Sequence, residues 1–270
     1  MWYFSQSLAV VRLVKYGLWT VIMIPLIVLL NRSTSRHRER AIQFYWRGVC
    51  RLFGIQVTKI GIPALRPCLF VANHTSYIDI AVLGAHLPAS FVAKKEIATW
   101  PVFGFLARLQ RTVFVERKAR HAKTQNDMLG ARLGIMDNLI LFPEGTSGDG
   151  TRVLQFKSTL FSMAVPEAVR EKITVQPVSI AYTHLDGMPL SRYLRPFFAW
   201  YGDMSLIPHL YRMAGIGRIH VILSFHSPVS PASLVSRKAL SDYCQKQVIT
   251  GIKKSLAERN SGLEVSSAPR

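Results

Sequence analysis

His74 and Asp79 stand five positions apart in Asn73-His74-Thr75-Ser76-Tyr77-Ile78-Asp79. An imidazole held by a carboxylate is the base half of a Ser-His-Asp arrangement: the carboxylate fixes the tautomer and stabilises the imidazolium that forms when the ring takes a proton. The sequence offers no enzyme nucleophile to go with it. The nearest approach to G-x-S-x-G is Gly145-Thr146-Ser147-Gly148-Asp149, which lacks the final glycine. A base without its own serine deprotonates a hydroxyl carried by the substrate, which is the chemistry of direct acyl transfer from a thioester to an alcohol. Two readings from other classes stand beside it. The same pair activating water would make a lipid hydrolase, and a non-catalytic lipid-binding protein would need neither side chain.

The spacing also says where the pair must sit. On one continuous helix, residues five apart point about 140° away from each other at ~3.6 residues per turn. His74 meets Asp79 only if it lies in the turn before the helix, with Thr75 or Ser76 as a natural N-cap. The β-like run CLFVAN delivers the chain to that turn. A lone His-x4-Asp is weak, because chance matches are common and a single histidine is more often structural. Three further segments strengthen it: Thr112-Val113-Phe114-Val115-Glu116-Arg117, Leu141-Phe142-Pro143-Glu144-Gly145-Thr146 and Gln176-Pro177-Val178-Ser179-Ile180.

With these four blocks in order across about residues 70–180, the chain resembles the glycerolipid acyltransferases, in particular the 1-acylglycerol-3-phosphate acyltransferases. The resemblance implies His74 as general base and Asp79 as its orienting partner. It implies Arg117 on the acceptor headgroup, Glu144, Gly145 and Thr146 shaping the acceptor site, and Lys157 as a second anion-binding group. It further implies an acyl-CoA or acyl-carrier-protein donor as co-substrate, no metal or other cofactor, and an N-terminal two-helix membrane element. The expected reaction is acylation of 1-acyl-sn-glycerol-3-phosphate to phosphatidate.

Two departures bear on the acceptor. Arg111 stands where the second block often has glycine, and Ser147 where the third often has arginine. Loss of that arginine removes a planar, bidentate phosphate partner, for which Arg111 or Arg152 is a replacement candidate. The Glu-Gly-Thr-Ser-Gly-Asp-Gly run looks like the branch that acylates lyso-ornithine lipid, an aminolipid without phosphate, and this is the alternative acceptor.

Composition points the same way. The formal net charge is +19 with 49% hydrophobic residues, and the mean hydropathy is +0.20. No nucleic-acid reading motif accompanies the charge. Basic residues fall beside apolar stretches instead, as with Arg47 and Arg51 in FYWRGVCRLFG, an arrangement suited to acidic lipid headgroups. Cys50, Cys68 and Cys244 form no CxxC pair, so neither a disulfide framework nor a zinc site is implied. The other histidines show no metal-ligand spacing.

The apolar run GLWTVIMIPLIVLL at 17–30 is shorter than the ~20 residues of a simple bilayer span. It is followed by a basic cluster from Arg32 to Arg40, which favours retention on the cytoplasmic side. The expectation is therefore an N-terminal membrane-interacting segment, 1–54, with a second helix over 38–53, on the cytoplasmic face of the membrane. Short β-branched and aromatic blocks alternating with helix-length stretches then predict an α/β domain over 55–259, a mostly buried mixed sheet flanked by helices. Helices are expected at 76–87, 97–109, 120–136, 157–170 and 236–257, and a disordered tail at 260–270.

Overall fold

The computed structural model describes residues 4–30, 35–115, 132–133, 137–165 and 169–258. The expected tail, most of the 120–136 helix and Arg117 lie outside these residues.

The apolar run extends toward the N-terminus into a longer helix than its hydropathy indicated. Helix α1 covers Gln6–Leu30, 25 residues, which is long and apolar enough to cross a membrane by length and composition. It tolerates Arg12 because that guanidinium is turned onto the domain, donating to the carbonyls of Ala214 at 3.3 Å and of Ile216. Helix α2, Ser35–Leu52, returns alongside it, and the Trp19 indole donates to Tyr45 O at 3.1 Å. The apolar face of α2 (Ala41, Tyr45, Val49, Cys50) is buried, so this helix packs into the protein core. Its Trp46 fits against Gly84, where a Cβ would meet the indole at 2.4 Å.

The expected mixed sheet is present. Its strands are β1 (Ile55–Ile60), β2 (Cys68–Ala72), β3 (Ser90–Lys94), β4 (Val113–Val115), β5 (Leu139–Leu141), β6 (Thr174–Leu185), β7 (Met188–Pro189) and β8 (Ile219–Phe225). Among the described residues the order is β1-β8-β6-β2-β5-β3-β4, with β7 hairpinned onto β6. β2 runs parallel to both neighbours, β5 and β6, and β6 runs antiparallel to β8. The central strand β2 is buried along its whole length, which is why CLFVA reads as an unbroken apolar run.

Side-chain alternation divides the core in two. Phe70 and Ala72 face one layer with α1, α2 and helix α3 (Ile78–His86). Leu69 and Val71 face the other, with helices α5 (Ser158–Ala164) and α8 (Arg237–Glu258). Between these in sequence lie α4 (Phe103–Leu109), the single turn α6 (Arg195–Phe198) and α7 (Leu206–Ala214). The last two were not expected from the sequence, because their apolar residues fall in short runs broken by Pro196 and Pro208.

Candidate active site

β2 ends at Ala72, and the next two residues fix the turn that follows. Asn73 acts as a surrogate strand residue: its side chain donates to Ile180 O at 3.0 Å and accepts from Ile180 N–H at 2.9 Å. His74 then sits at the carboxyl end of the central strand, outside the sheet, where parallel strands leave a crevice. The turn is not closed by a Thr75 or Ser76 cap. Tyr77 occupies the N-cap of α3 without a side-chain bond, and Asp79 replaces the expected cap. Its Oδ2 accepts the N–H groups of Thr75 at 2.7 Å and Ser76 at 2.9 Å.

The same oxygen lies 2.9 Å from His74 Nδ1. An ionised carboxylate only accepts, so Nδ1 carries the proton and Nε2 is left as the basic atom. Asp79 Oδ1 accepts from the Tyr182 hydroxyl at 2.6 Å. The carboxylate is thus fully buried with both oxygens occupied, while the His74 side chain keeps 19% of its surface. The imidazole stacks on Phe142, ring centroids 4.1 Å apart and 17° from parallel. The ring is held on one face and at one nitrogen, and its other nitrogen is available for proton transfer.

Glu144 approaches the same turn from the end of β5. Its Oε1 accepts His74 N–H at 2.9 Å and its Oε2 accepts Leu154 N–H at 3.2 Å. Both oxygens therefore clamp backbone, and the side chain is buried. Burial pushes its carboxyl up to about 8, against the pull of those two N–H donors and with a further push from Asp79. Gly145 adopts φ +69° to turn the chain, and Thr146 is exposed beside it. The Lys157 side chain is exposed, and its N–H donates to Pro143 O at 2.9 Å, which ties it to this block.

Ser147 has a structural bond of its own: its hydroxyl donates to Trp200 O. Trp200 N–H in turn donates to Thr75 O at 3.0 Å, and Gly148 N–H to His74 O at 2.9 Å. The residue that replaces an expected arginine thus pins the loop beside the histidine. Arg111 lies at the wrong end of the sheet to replace it. Its guanidinium is 3.3 Å from Asp137, just ahead of β5, at the amino ends of the strands and about 15 Å of strand away from His74. Arg152 is exposed on the loop whose Gly150 packs against Thr75, so it remains on the histidine's side. Tyr182 and Trp200 were invisible to motif reading, because nothing in their local sequence marks a partner more than a hundred residues away.

Next to the turn is an apolar cavity of about 680 Å³, its mouth included, bordered by Tyr77, Ile78, Phe103, Leu206, Leu210 and Trp46. Among the described residues no group of three or more His, Cys, Asp or Glu side chains is placed to hold a metal ion.

The acyltransferase family profile matches residues 55–181. The chain is 44% identical over 232 residues to a lyso-ornithine lipid O-acyltransferase of Brucella abortus, covering 84% of this chain and 86% of that protein. It is 30% identical over 215 residues to a 1-acyl-sn-glycerol-3-phosphate acyltransferase of Neisseria meningitidis, covering 78% and 80%. Its fold matches the crystal structure of the 1-acyl-sn-glycerophosphate acyltransferase PlsC from Thermotoga maritima with a TM-score of 0.67 at 21% identity, over 96% of this chain and 97% of that one.

Proposed function

Because this chain belongs to the glycerolipid acyltransferase family, we propose that its His74–Asp79 pair drives transfer of a fatty acyl group from a thioester to the free hydroxyl of a lyso-lipid. The observation that carries the assignment is the 2.9 Å contact between His74 Nδ1 and the buried Asp79 carboxylate. Nε2 takes the hydroxyl proton as the oxygen attacks the acyl carbonyl. The tetrahedral intermediate then collapses with cleavage of the C–S bond, and the imidazolium returns the proton to the departing thiolate. Acyl-CoA and acyl-carrier protein both supply such a thioester, and the +19 charge favours either acidic donor. The apolar cavity beside Tyr77 has the lining to take part of an acyl chain.

For the acceptor, the balance moves to lyso-ornithine lipid. Arg111 is committed to Asp137 at the far end of the sheet and Ser147 to Trp200, so of the two replacement candidates only the exposed Arg152 stays on the histidine's side. The 44% relative is named for that acceptor and the 30% relative for the phosphate-bearing one. Arg117, Thr146 and Lys157 are assigned to the acceptor headgroup, with Glu144 and Gly145 shaping the turn that presents it. The enzyme works at the cytoplasmic face of the membrane, held there by α1.

The test offers lyso-ornithine lipid and lysophosphatidate side by side with a labelled acyl thioester, products identified by mass spectrometry. Acylated ornithine lipid in excess is expected. Phosphatidate in excess reverses the acceptor, and free fatty acid without acylated lipid replaces the transferase by a hydrolase.

A further inference from the structure

Besides α1, large apolar side chains among the described residues are exposed around Ile62 and Leu65, around Met188 and Tyr193, and along α4 and α7. Val102 and Phe105 stand out at the start of α4, and Ile207 and Tyr211 on the outer face of α7, with Val102 at 62% and Ile207 at 69% exposure. Scattered exposed apolar residues are ordinary on any protein, and Val235, 99% exposed on its own, is one of these. The α4 and α7 residues combine three features.

They adjoin one cavity: Phe103 and Leu206, their neighbours in sequence, both border the apolar cavity that reaches Tyr77. Each set is followed by arginine, Arg108 after Phe105 and Arg212 after Tyr211, and neither helix contains an acid. Arg108 and Arg212 are both exposed, and Arg212 lies over the Phe197 ring at 5.6 Å. Finally, α7 is fastened to α1. Ser5 N–H donates to Gly215 O at 2.8 Å, and the Phe4 and Tyr211 rings sit 5.5 Å apart. The exposed face of α7 therefore continues that of α1, where Val10 and Val14 are also exposed.

We propose that α4 and α7 form a second membrane-contact surface, continuous with α1, whose apolar side chains enter the headgroup–acyl boundary of an anionic leaflet. Val102, Phe105, Ile207 and Tyr211 sink to that depth, while Arg108 and Arg212 extend back to the lipid phosphates. Docked this way, the residues that border the apolar cavity on its α4 and α7 side, Phe103 and Leu206, lie next to the leaflet. The purpose of this surface rests on the lyso-lipid reading above; its detection does not.

The native cysteines are buried, so single exposed sites can be labelled in the full chain. Val102→Cys, Ile207→Cys and Val235→Cys, each carrying an environment-sensitive fluorophore, are placed in nanodiscs of phosphatidylcholine and phosphatidylglycerol containing acyl-chain spin-labelled lipid. Phe105→Cys is a second probe on α4, because Val102 adopts φ +63° and a change there risks the local fold. Roughly twofold or greater quenching is expected at 102 or 105 and at 207, with none at 235. Quenching at those sites no greater than at 235 overturns the proposal. Acyl transfer is measured on the same samples. Quenching without transfer counts against the lyso-lipid reading alone, and transfer without quenching against this surface alone.

Discussion

The Tyr182 hydroxyl donates to Asp79 Oδ1 at 2.6 Å, joining β6 to the first turn of α3 across more than a hundred residues of sequence. Oδ2 already serves His74, Thr75 and Ser76, so Tyr182 is the group that keeps the second oxygen from being buried without a donor. Under the mechanism proposed above it acts through Asp79, as a positioning residue. A hydrogen bond to a charged group contributes about 1.5–3 kcal/mol. Tyr182→Phe is therefore expected to lower kcat by roughly tenfold or more with KM for the acceptor unchanged. An equal change in KM, or none in kcat, would remove this role.

Replacing either member of the dyad separates base from orienter. His74→Ala is expected to lose about 10²–10⁴ of kcat, the range general acid–base catalysis supplies. Asp79→Asn loses a comparable amount while leaving a folded protein, because an amide holds the wrong tautomer. Near wild-type transfer by purified His74→Ala protein, with a labelled thioester as donor, sinks the assignment.

Glu144 predicts a pH dependence of stability. Its carboxyl is held near 8 in the folded protein by burial, against an unfolded value of about 4.3. Between those values the unfolded chain binds fewer protons than the folded one. The stabilisation is therefore complete below the unfolded value and is lost as pH rises through about 8. The slope for one group does not exceed about 1.4 kcal/mol per pH unit. Glu144→Gln does not titrate, and its amide accepts only one of the two backbone N–H bonds. It should be less stable than wild type at low pH, with the gap narrowing toward pH 8. Thermal unfolding in detergent across this range measures it, and a constant gap contradicts it.

Gly150 tests the loop packed on the histidine turn. It adopts φ +75°, and a Cβ there would meet Thr75 Cγ2 at 3.1 Å. Gly150→Ala is expected to destabilise by about 1–3 kcal/mol through both effects and to lower kcat by displacing Thr75. Gly187, at φ +81° with open space around it, is the control: Gly187→Ala carries only the backbone penalty and leaves kcat unchanged.

The sequence alone was enough to read the reaction and the class of fold. His74 and Asp79 are close in the chain, and their spacing demands a turn before a helix. CLFVA, IHVILSF and their like are apolar because both sheet faces are covered, which short-range patterns record. It also contained the +19 charge and the apolar N-terminal run. What it could not contain were relationships made by chain segments meeting across the sheet. The Tyr182 bond to Asp79, the Trp200 loop fastened by Ser147 and the use of Glu144 to clamp two backbone N–H groups all depend on strand order. So does the placement of Arg111: next to the second block in sequence, it is a plausible phosphate partner, yet it enters the sheet at the amino end of β4 while His74 leaves at the carboxyl end of β2. Strand direction, which no local pattern encodes, put them at opposite ends of the strands, about 15 Å apart along the strand axis alone.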